Sequence, residues 1–345
     1  DNAESRSKAE ALGAALKPLT PETLENCAFL ILSPGVPLTH PQPHDVVKAA
    51  QAAGIEIICD IELFHRVYPQ IKTIGITGTN GKSTTTALIG HILNGAGKTA
   101  IVGGNIGQPV FDLPPPHSND IAVFELSSYQ IDLCPTFRPQ ISILLNITPD
   151  HIDRHGTLDH YAAVKARIFE GSGAAIIGTD DDICRAIAAR LKKSGQRSIV
   201  EISIAQAPPE IKAALAPTVL KGSHNLQNAL AAFAAARACD IAEQDIYKAF
   251  QTFPGLPHRQ FPVATIAAAL TLAGASETLS EGTVARISPK LERRRVGAED
   301  VRVRAEGVVR MVWITPARGD ALALGQRLDA HLEFNPRRAE ATVPR

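Results

Sequence analysis

One glycine-rich stretch decides the fold of this chain: Gly75-Ile76-Thr77-Gly78-Thr79-Asn80-Gly81-Lys82-Ser83. An apolar run precedes it, and a helix-like stretch with Thr84, Thr85 and Thr86 in its first turn follows it. In such a turn the backbone N–H groups and the lysine face phosphate oxygens, and the serine hydroxyl can bind Mg²⁺. The strict phosphate-loop pattern would need glycine at position 76, so the stretch is a variant of it. A tight turn without a ligand is the alternative interpretation.

On both sides of this stretch, short apolar runs alternate with amphipathic stretches. We predict strands at 28–32, 55–59, 71–77, 99–102, 121–125, 141–146, 174–178 and 198–202. We predict helices at 44–53, 83–93, 158–170 and 225–238. That alternation is typical of parallel strands with crossover helices. The fold class is therefore α/β, with an incomplete N-terminal Rossmann-like domain at 1–70 and a central doubly wound parallel-sheet domain with the phosphate loop at 71–260.

The composition changes from about Ala267. Arginine is frequent beyond this point, Lys290 is the one lysine there, and Met311 and Trp313 are the only residues of their types in the chain. A different small domain would explain the change. A shifted reading frame in a GC-rich gene would also explain it, because such a frame yields Arg- and Ala-rich protein. We expect 261–345 to be an atypical or disordered segment.

Charge, hydropathy and cysteine spacing limit the partners and the compartment. The 35 basic residues balance 35 acidic residues, so no excess charge favours nucleic acid or an anionic membrane. No apolar run reaches the roughly 18 residues that span a bilayer, and the N-terminus lacks a signal-peptide pattern. The five cysteines are too widely spaced for a Cys-x-x-Cys site. We expect a cytoplasmic monomer without nucleic-acid or membrane partners.

Two further clusters place ligand-capable side chains after predicted strands. Glu125 ends a strand and could reach a Mg²⁺ held by Ser83, because ligands lie beyond the carboxyl ends of parallel strands; a solvated strand end or a helix cap is the alternative. His151 follows the next strand and could bind a metal, or be satisfied by a hydrogen bond to an aspartate. Lys165 lies four residues after Tyr161 on one helical face, a spacing that alone indicates an ordinary surface lysine.

Three smaller signals remain open. Asn105, in a glycine-rich turn at 103–107, could contact a phosphate or a sugar, or belong to a flexible turn. Asn225 precedes an Ala-rich helix, where an ordinary N-cap would explain it. Arg259, in a proline-containing loop, could face a phosphate or solvent.

In order and spacing, these segments resemble the Mur ligases, which activate a carboxylate with ATP and join it to an amino acid. The resemblance rests on Gly-x-x-Gly-Thr-Asn-Gly-Lys-Ser, Glu-Leu-Ser-Ser-Tyr-Gln, Asn-x-x-x-Asp-His-x-Asp, His-Asn-x-x-Asn and Leu-Pro-His-Arg. Within the family, Gly-Gly-Asn-Ile-Gly and the upstream Ser33-Pro34-Gly35-Val36 look like the D-glutamate-adding member. Within the superfamily, the alternative enzyme is a folylpolyglutamate-synthase-like ligase. The alternative that is not an enzyme is an inactive remnant that binds ATP and Mg²⁺.

The resemblance implies ATP and Mg²⁺ as cofactors, and UDP-N-acetylmuramoyl-L-alanine and D-glutamate as partners. It assigns ATP to Gly78, Thr79, Asn80, Gly81, Lys82, Ser83, Thr84, Asn225 and Arg259. It assigns metal binding to Ser83, Glu125, His151 and a carbamylated Lys165, and catalysis to Lys82, Glu125, His151 and Lys165. It assigns the UDP-sugar substrate to Ser33, Gly35, Asn105 and His151.

The match covers about residues 1–266. The chain begins just after the position of the family's first strand, and beyond Ile266 no Asp-Ser-Lys-Ala-Thr-Asn-like segment follows. We therefore expect the chain as it stands to bind Mg-ATP without forming the amide.

Overall fold

The computed structural model describes residues 3–25, 27–107 and 109–256, together with strand segments at 267–272, 278–287, 292–293, 308–309, 312–316 and 328–333. The chain divides into two compact units, Asp1–Phe253 and Pro254–Arg345. Within the described ranges, no helix is both long enough and apolar enough to cross a membrane.

The described part of the first unit contains eight strands and twelve helices. The strands are β1 (Phe29–Ile31), β2 (Glu56–Ile58), β3 (Lys72–Thr77), β4 (Ala100–Gly104), β5 (Ile121–Glu125), β6 (Ile141–Leu144), β7 (Ala174–Gly178) and β8 (Ser198–Ile202). The helices are α1 (Ala3–Ala11), α2 (Pro21–Leu24), α3 (Asp45–Ala52), α4 (Asp60–Val67), α5 (Lys82–Gly95), α6 (Ser128–Asp132), α7 (Ile152–His155), α8 (Leu158–Ala166), α9 (Asp182–Ser194), α10 (Pro209–Leu215), α11 (Ser223–Arg237) and α12 (Glu243–Thr252). A 3₁₀ turn, Arg167–Phe169, follows α8 where the sequence predicts continued α-helix.

The central sheet is parallel throughout, in the order β4-β5-β3-β6-β7-β8. Its register pairs Ile76 of β3 with Glu125 of β5, and Thr77 of β3 with Leu144 of β6. The loops that follow these three strands therefore begin at the same edge of the sheet. The predicted α/β fold with a parallel sheet is confirmed.

Two apolar clusters cover the two faces of this sheet. Ile74 and Ile76 lie in the cluster with α5, α10, α11 and α12, whereas Ala122 and Phe124 lie in the cluster with α4, α8 and α9. The alternation follows from the two-residue period of a strand, which sends successive side chains to opposite faces. Fully burying one such side chain contributes about 1.5–3 kcal/mol, so the sheet is held firmly from both sides.

A smaller parallel pair, β1 with β2, is joined through α3 in the same unit. It matches the small α/β piece expected before residue 70. The proposed division of the chain at residues 70 and 260 stays a prediction.

The second unit contains strands that the sequence pattern did not predict. They are β9 (Ala267–Leu272), β10 (Thr278–Ile287), β11 (Glu292–Arg293), β12 (Val308–Val309), β13 (Val312–Pro316) and β14 (Leu328–Glu333). Four pair antiparallel in the order β13-β10-β9-β14, and β11 pairs antiparallel with β12. The described part of this unit thus differs from the parallel architecture of the first.

Candidate functional site

The glycine-rich loop lies between β3 and α5, and two of its glycines have backbone conformations that other residues rarely adopt. Gly78 has φ +150° and Gly81 has φ +87°. A Cβ on Gly81 would lie 2.2 Å from Oδ1 of Asn228 on α11. Both the left-handed backbone and the close approach of α11 therefore require glycine at position 81. Helix α5 begins directly afterwards, at Lys82, so its N-terminal N–H groups face the loop.

Lys82 folds back over this loop. Its ammonium donates to the carbonyl oxygens of Gly78, at 3.0 Å, and Thr79, at 2.9 Å. Ser83 and Thr84 lie beside it in the first turn of α5, both half-buried. The positive charge and the helix N-terminus thus occupy the same small region, which favours an anionic ligand.

The segment after β6 holds the loop from its other side. The Thr79 N–H donates to the Asn146 carbonyl oxygen at 2.9 Å, and the Asn80 N–H donates to Asn146 Oδ1 at 2.8 Å. The Thr148 N–H donates to Thr79 Oγ1 at 3.0 Å. These bonds join the glycine-rich loop and the Asn-x-x-x-Asp-His segment, which the sequence places far apart.

Glu125 ends β5 as a buried side chain, so the solvated strand end considered above is wrong. Its Oε1 accepts a hydrogen bond from Asn105 Nδ2 at 3.1 Å. Its Oε2 is buried and has no hydrogen-bond partner among the described residues. Leaving a buried carboxylate oxygen unpaired is costly, whereas Mg²⁺ is a hard cation that binds such oxygens. The orphaned oxygen, at the sheet edge that carries Ser83, fits the predicted magnesium site.

Asn105 is placed against Glu125 by its backbone as well. The Asn105 N–H donates to the Glu125 carbonyl oxygen at 2.9 Å, and Gly104 before it has φ +93°. A Cβ on Gly104 would lie 2.3 Å from the same carbonyl oxygen. The turn after β4 is thus fitted closely to the end of β5.

Lys165 is a buried lysine, and its interpretation as a surface residue is wrong. The residue is 1% exposed. Its ammonium donates to Thr77 Oγ1 at 3.2 Å and to the Gly78 carbonyl oxygen at 3.0 Å, and lies 4.7 Å from the centre of the Tyr161 ring. Burial, and then repulsion from Lys82, lower the pKa of Lys165 to about 7. A large fraction of the amine is therefore neutral, and nucleophilic, near neutral pH.

His151 stands at the N-terminus of α7 with φ +53°, an uncommon left-handed conformation for a residue other than glycine. Its Nε2 lies 3.5 Å from Asp150 Oδ2, and its ring centre lies 5.3 Å from that of Tyr129. Within the described ranges, no three His, Cys, Asp or Glu side chains form a metal-binding group. The metal role of His151 stays a prediction.

Asn225 does not cap α11, which corrects the N-cap interpretation. The N-cap is Gly222, and Asn225 lies buried in the first turn of the helix. Its Nδ2 donates to the Lys221 carbonyl oxygen at 2.8 Å, and its Oδ1 accepts from Asn228 Nδ2 at 3.2 Å. The second asparagine of His-Asn-x-x-Asn thus links Asn225 to the loop at Gly81. Arg259 lies outside the described residues.

The predicted substrate segment at 33–36 meets the Ser-Ser-Tyr-Gln and Asp-His segments. Arg154 donates to the Gly35 carbonyl oxygen at 3.2 Å and lies 4.7 Å from the centre of the Tyr129 ring. The three segments border a small pocket, which is lined by Pro34, Val36, Leu38, Thr39, Tyr129, Asp132, Leu133, Arg154 and His155. Gly35 is beside this pocket, and Ser33 immediately precedes the lining residues.

His155 lies four residues after His151, and the sequence pattern assigned it no role. Its ring is stacked on that of Tyr129, with centres 5.4 Å apart, and its Nε2 lies 2.8 Å from Ser128 Oγ. Burial lowers the pKa of His155 to about 4, so the imidazole is neutral at neutral pH. The one available signal was the unusual density of ligand-capable side chains around it.

Comparisons with known proteins identify relatives of this chain. The family model described as Mur ligase middle domain matches residues 76–216. A UDP-N-acetylmuramoylalanine--D-glutamate ligase from Agrobacterium fabrum is 47% identical over 285 residues, covering 76% of this chain and 61% of that protein. A protein of the same name from Chelativorans sp. is 44% identical over 311 residues, covering 84% of this chain and 66% of that protein. The chain belongs to the Mur ligase family.

A solved Mur ligase structure shares the fold. The UDP-N-acetylmuramate:L-alanyl-gamma-D-glutamyl-meso-diaminopimelate ligase from Neisseria meningitides aligns with a TM-score of 0.50 at 19% identity, covering 74% of this chain and 89% of that chain. The present chain spans only 61% and 66% of the length of the two relatives above. The matched Mur ligase domain contains the glycine-rich loop, Glu125, His151 and Lys165, whereas Gly35 and Asn225 lie outside it.

Proposed function

We propose that this chain carries the nucleotide-binding and metal-binding core of an ATP-dependent ligase that adds D-glutamate to UDP-N-acetylmuramoyl-L-alanine during synthesis of peptidoglycan precursors. The names of the two relatives support this reaction over that of a folylpolyglutamate-synthase-like ligase. Four of the five free cysteines are buried, which is compatible with the reducing cytoplasm that we propose as its compartment.

The observation that carries the proposal is the orphaned Oε2 of Glu125 at the sheet edge where Lys82 and the N-terminus of α5 converge. A buried carboxylate oxygen without a hydrogen-bond partner destabilises the fold, and a cationic loop at a helix N-terminus attracts an anionic ligand. A divalent cation bound to a nucleotide triphosphate satisfies both at once, since the cation binds carboxylate and phosphate oxygens together. Glu125 and Ser83 would hold the cation, which neutralises charge on the phosphate oxygens.

In the proposed reaction, a carboxylate oxygen of the UDP-sugar substrate attacks the γ-phosphorus of ATP. The bond to the bridging oxygen breaks, and ADP leaves. The amine of D-glutamate then attacks the acyl carbon, loses a proton, and displaces phosphate. Lys82 and the loop N–H groups hold the negative charge on the transferred phosphoryl group, which is the main contribution a protein makes to phosphoryl transfer.

Lys165 is suited to become a carbamate. Its neutral amine can attack CO₂, forming a C–N bond and releasing one proton, and the product carries an anionic carboxylate in place of an ammonium. The lowered pKa of Lys165 supports this step, because only the neutral amine is nucleophilic. The anionic oxygens would then join Glu125 in attracting a hard cation.

Amide formation also requires the attacking amine to be held about 3–3.5 Å from the activated carboxyl, and a misplacement of 1 Å can cost about a hundredfold. Residues 267–345 lack the family's recognisable C-terminal motif. We therefore expect the 345-residue chain to bind Mg-ATP and to form no D-glutamyl amide.

Calorimetry with Mg-ATP tests the first half of this proposal, and incorporation of radiolabelled D-glutamate tests the second. The calorimetric arm uses the parent chain and Glu125→Gln, which removes the carboxylate charge and keeps its shape. Binding by the parent that weakens in the variant only when Mg²⁺ is present supports the site. No binding by a folded parent would refute it, and glutamate incorporation above an enzyme-free blank would refute the expected inactivity.

A further inference from the structure

A series of hydrogen-bonded polar side chains runs from the glycine-rich loop to the segment that follows β8, an edge strand of the central sheet. The loop end is Asn146, whose Oδ1 accepts from the Asn80 N–H at 2.8 Å and whose Nδ2 donates to the Asn80 carbonyl oxygen at 3.2 Å. The same Nδ2 donates to Gln227 Oε1 at 2.9 Å. Gln227 Nε2 donates to Asp180 Oδ2 at 3.0 Å. We call Asn146, Gln227 and Asp180 the polar chain.

Both ends of the polar chain fix the orientation of the two amides between them. A backbone N–H can only donate, so it sets Asn146 Oδ1 toward the loop and Nδ2 toward Gln227. An ionised carboxylate can only accept, so Asp180 sets Gln227 Nε2 toward itself and Oε1 toward Asn146. Each of the two amide nitrogens donates to an acceptor, and the two constraints agree.

The polar chain is also fixed in place. Asp180 accepts from Ser203 Oγ at 2.8 Å and from the Ile204 N–H at 3.1 Å. These bonds anchor Asp180 to the segment that follows β8. Gln227 is buried on α11. A Cβ on Gly178, at the end of β7, would lie 3.0 Å from Gln227 Nε2. The absence of a side chain at Gly178 therefore leaves room for the amide of Gln227 at this edge of the sheet.

We propose that Gln227 is a positioning residue: through Asn146 it holds the backbone of Asn80 in the conformation that receives nucleotide phosphates. Neither Gln227 nor Asp180 has a role in the function proposed above, and this inference rests on that function because the loop is taken as the phosphate site. Asn146 grips both backbone groups of Asn80, so a rotation of its amide would displace the loop itself. Gln227 blocks that rotation by accepting from the Nδ2 of Asn146.

Complementary substitutions test the inference. Gln227→Glu keeps an acceptor for Asn146 but places a carboxylate against Asp180, and the repulsion between the two carboxylates should displace the side chain from its position between Asn146 and Asp180. We expect Mg-ATP to bind about tenfold more weakly, the effect of about one lost buried hydrogen bond. Adding Asp180→Asn should restore binding to within about threefold of the parent, because the new amide can donate to the introduced carboxylate while its oxygen still accepts from Ser203. Gln51→Glu is the control, since it makes the same chemical change at an exposed position of α3.

Two measurements are made on each full-length variant. Calorimetry gives the dissociation constant of Mg-ATP, and hydrogen exchange of the peptide containing residues 78–82 reports the loop without nucleotide. Faster exchange in Gln227→Glu, reversed in the double variant, is expected together with the change in affinity. Thermal melting shows whether each variant is folded, and the neutral Gln227→Met replaces Gln227→Glu if the latter does not fold.

Unchanged affinity and unchanged exchange in a folded Gln227 variant would overturn the inference, as would a double variant no better than Gln227→Glu alone. If the variants show the expected pattern of hydrogen exchange but the parent binds no Mg-ATP, the proposed function would be overturned instead. The two failures are therefore distinguishable.

Discussion

Replacing Lys165 by methionine should stabilise the protein below pH 7 and remove part of its pH dependence. The pKa of Lys165 falls from 10.5 to about 7 in the folded chain, chiefly because the ammonium is buried. Each pKa unit corresponds to about 1.36 kcal/mol, so carrying the ammonium in the folded state costs about 5 kcal/mol below pH 7. The substitution also loses two hydrogen bonds, to Thr77 and Gly78, worth about 1 kcal/mol each. The expected net gain at pH 6 is about 3 kcal/mol.

The gain should disappear as the pH rises. Above pH 7 the folded chain releases the Lys165 proton, whereas the unfolded chain retains it until about pH 10.5, so the stability of the parent increases with pH across this window. Between pH 7 and pH 9 the increase from this group alone is about 2.3 kcal/mol, because the folded chain still carries half of this proton at pH 7. The methionine variant lacks this contribution, and the two proteins should be about equally stable near pH 9.

Urea unfolding at several pH values between 6 and 9, in buffers depleted of CO₂, measures this difference. Contributions from all other groups are shared by parent and variant and cancel in the comparison. Lys193→Met is the matched control, because its side chain is exposed on α9. Parallel stability curves for the parent and Lys165→Met would show that Lys165 does not titrate near neutrality and would refute the reasoning.

Three further predictions concern the loop and the proposed metal ligand Glu125. In an active enzyme that carries this loop, Lys82→Ala should reduce ATP-dependent phosphate release by about a hundredfold or more, because it removes a charge facing the phosphates. The circular dichroism spectrum should stay unchanged, because the substitution removes no core volume. Gly81→Ala should destabilise the chain by about 1–3 kcal/mol in thermal or urea unfolding, because residue 81 has a positive φ and the new Cβ would lie 2.2 Å from Asn228 Oδ1. Gly95→Ala is the control: a Cβ there meets open space, so the substitution should be neutral or slightly stabilising. Asn105→Ala should weaken Mn²⁺ binding severalfold in spin-resonance titrations, because Glu125 Oε1 loses its donor; unchanged binding would contradict that role.

The fold was largely predictable because its determinants are local. Strands β5, β7 and β8 begin and end at the predicted residues, since each is a short apolar run whose pattern is visible in any window. The antiparallel strands β9 to β14 were not predictable in the same way. Alternation is weak in that Arg-rich region, so the pattern that indicates the strands of the first unit is not visible there.

The candidate site was predictable in residue type and order, but not in environment. The spacing of Tyr161 and Lys165 placed both on one face of α8, and their side chains do meet. Spacing alone could not show that this face is turned into the protein, because burial depends on which elements pack against the helix. Gln227 and Asp180 gave no signal at all, since their roles exist only where β7, β8 and α11 come together.

The buried polar groups of the site are best explained by a ligand that binds to them. Glu125 and Lys165 are both buried at one sheet edge, yet Lys165 donates to Thr77 and Gly78, and Oε2 of Glu125 has no hydrogen-bond partner among the described residues. Two buried groups selected for stability alone would be paired or replaced by apolar residues, because an unpaired buried charge destabilises the fold. Converting the lysine to an anion would leave two acidic groups at one edge, which is unfavourable for the empty chain and favourable for a bound divalent cation. The same features that reduce stability thus support the proposed binding of a cation and a nucleotide at this edge.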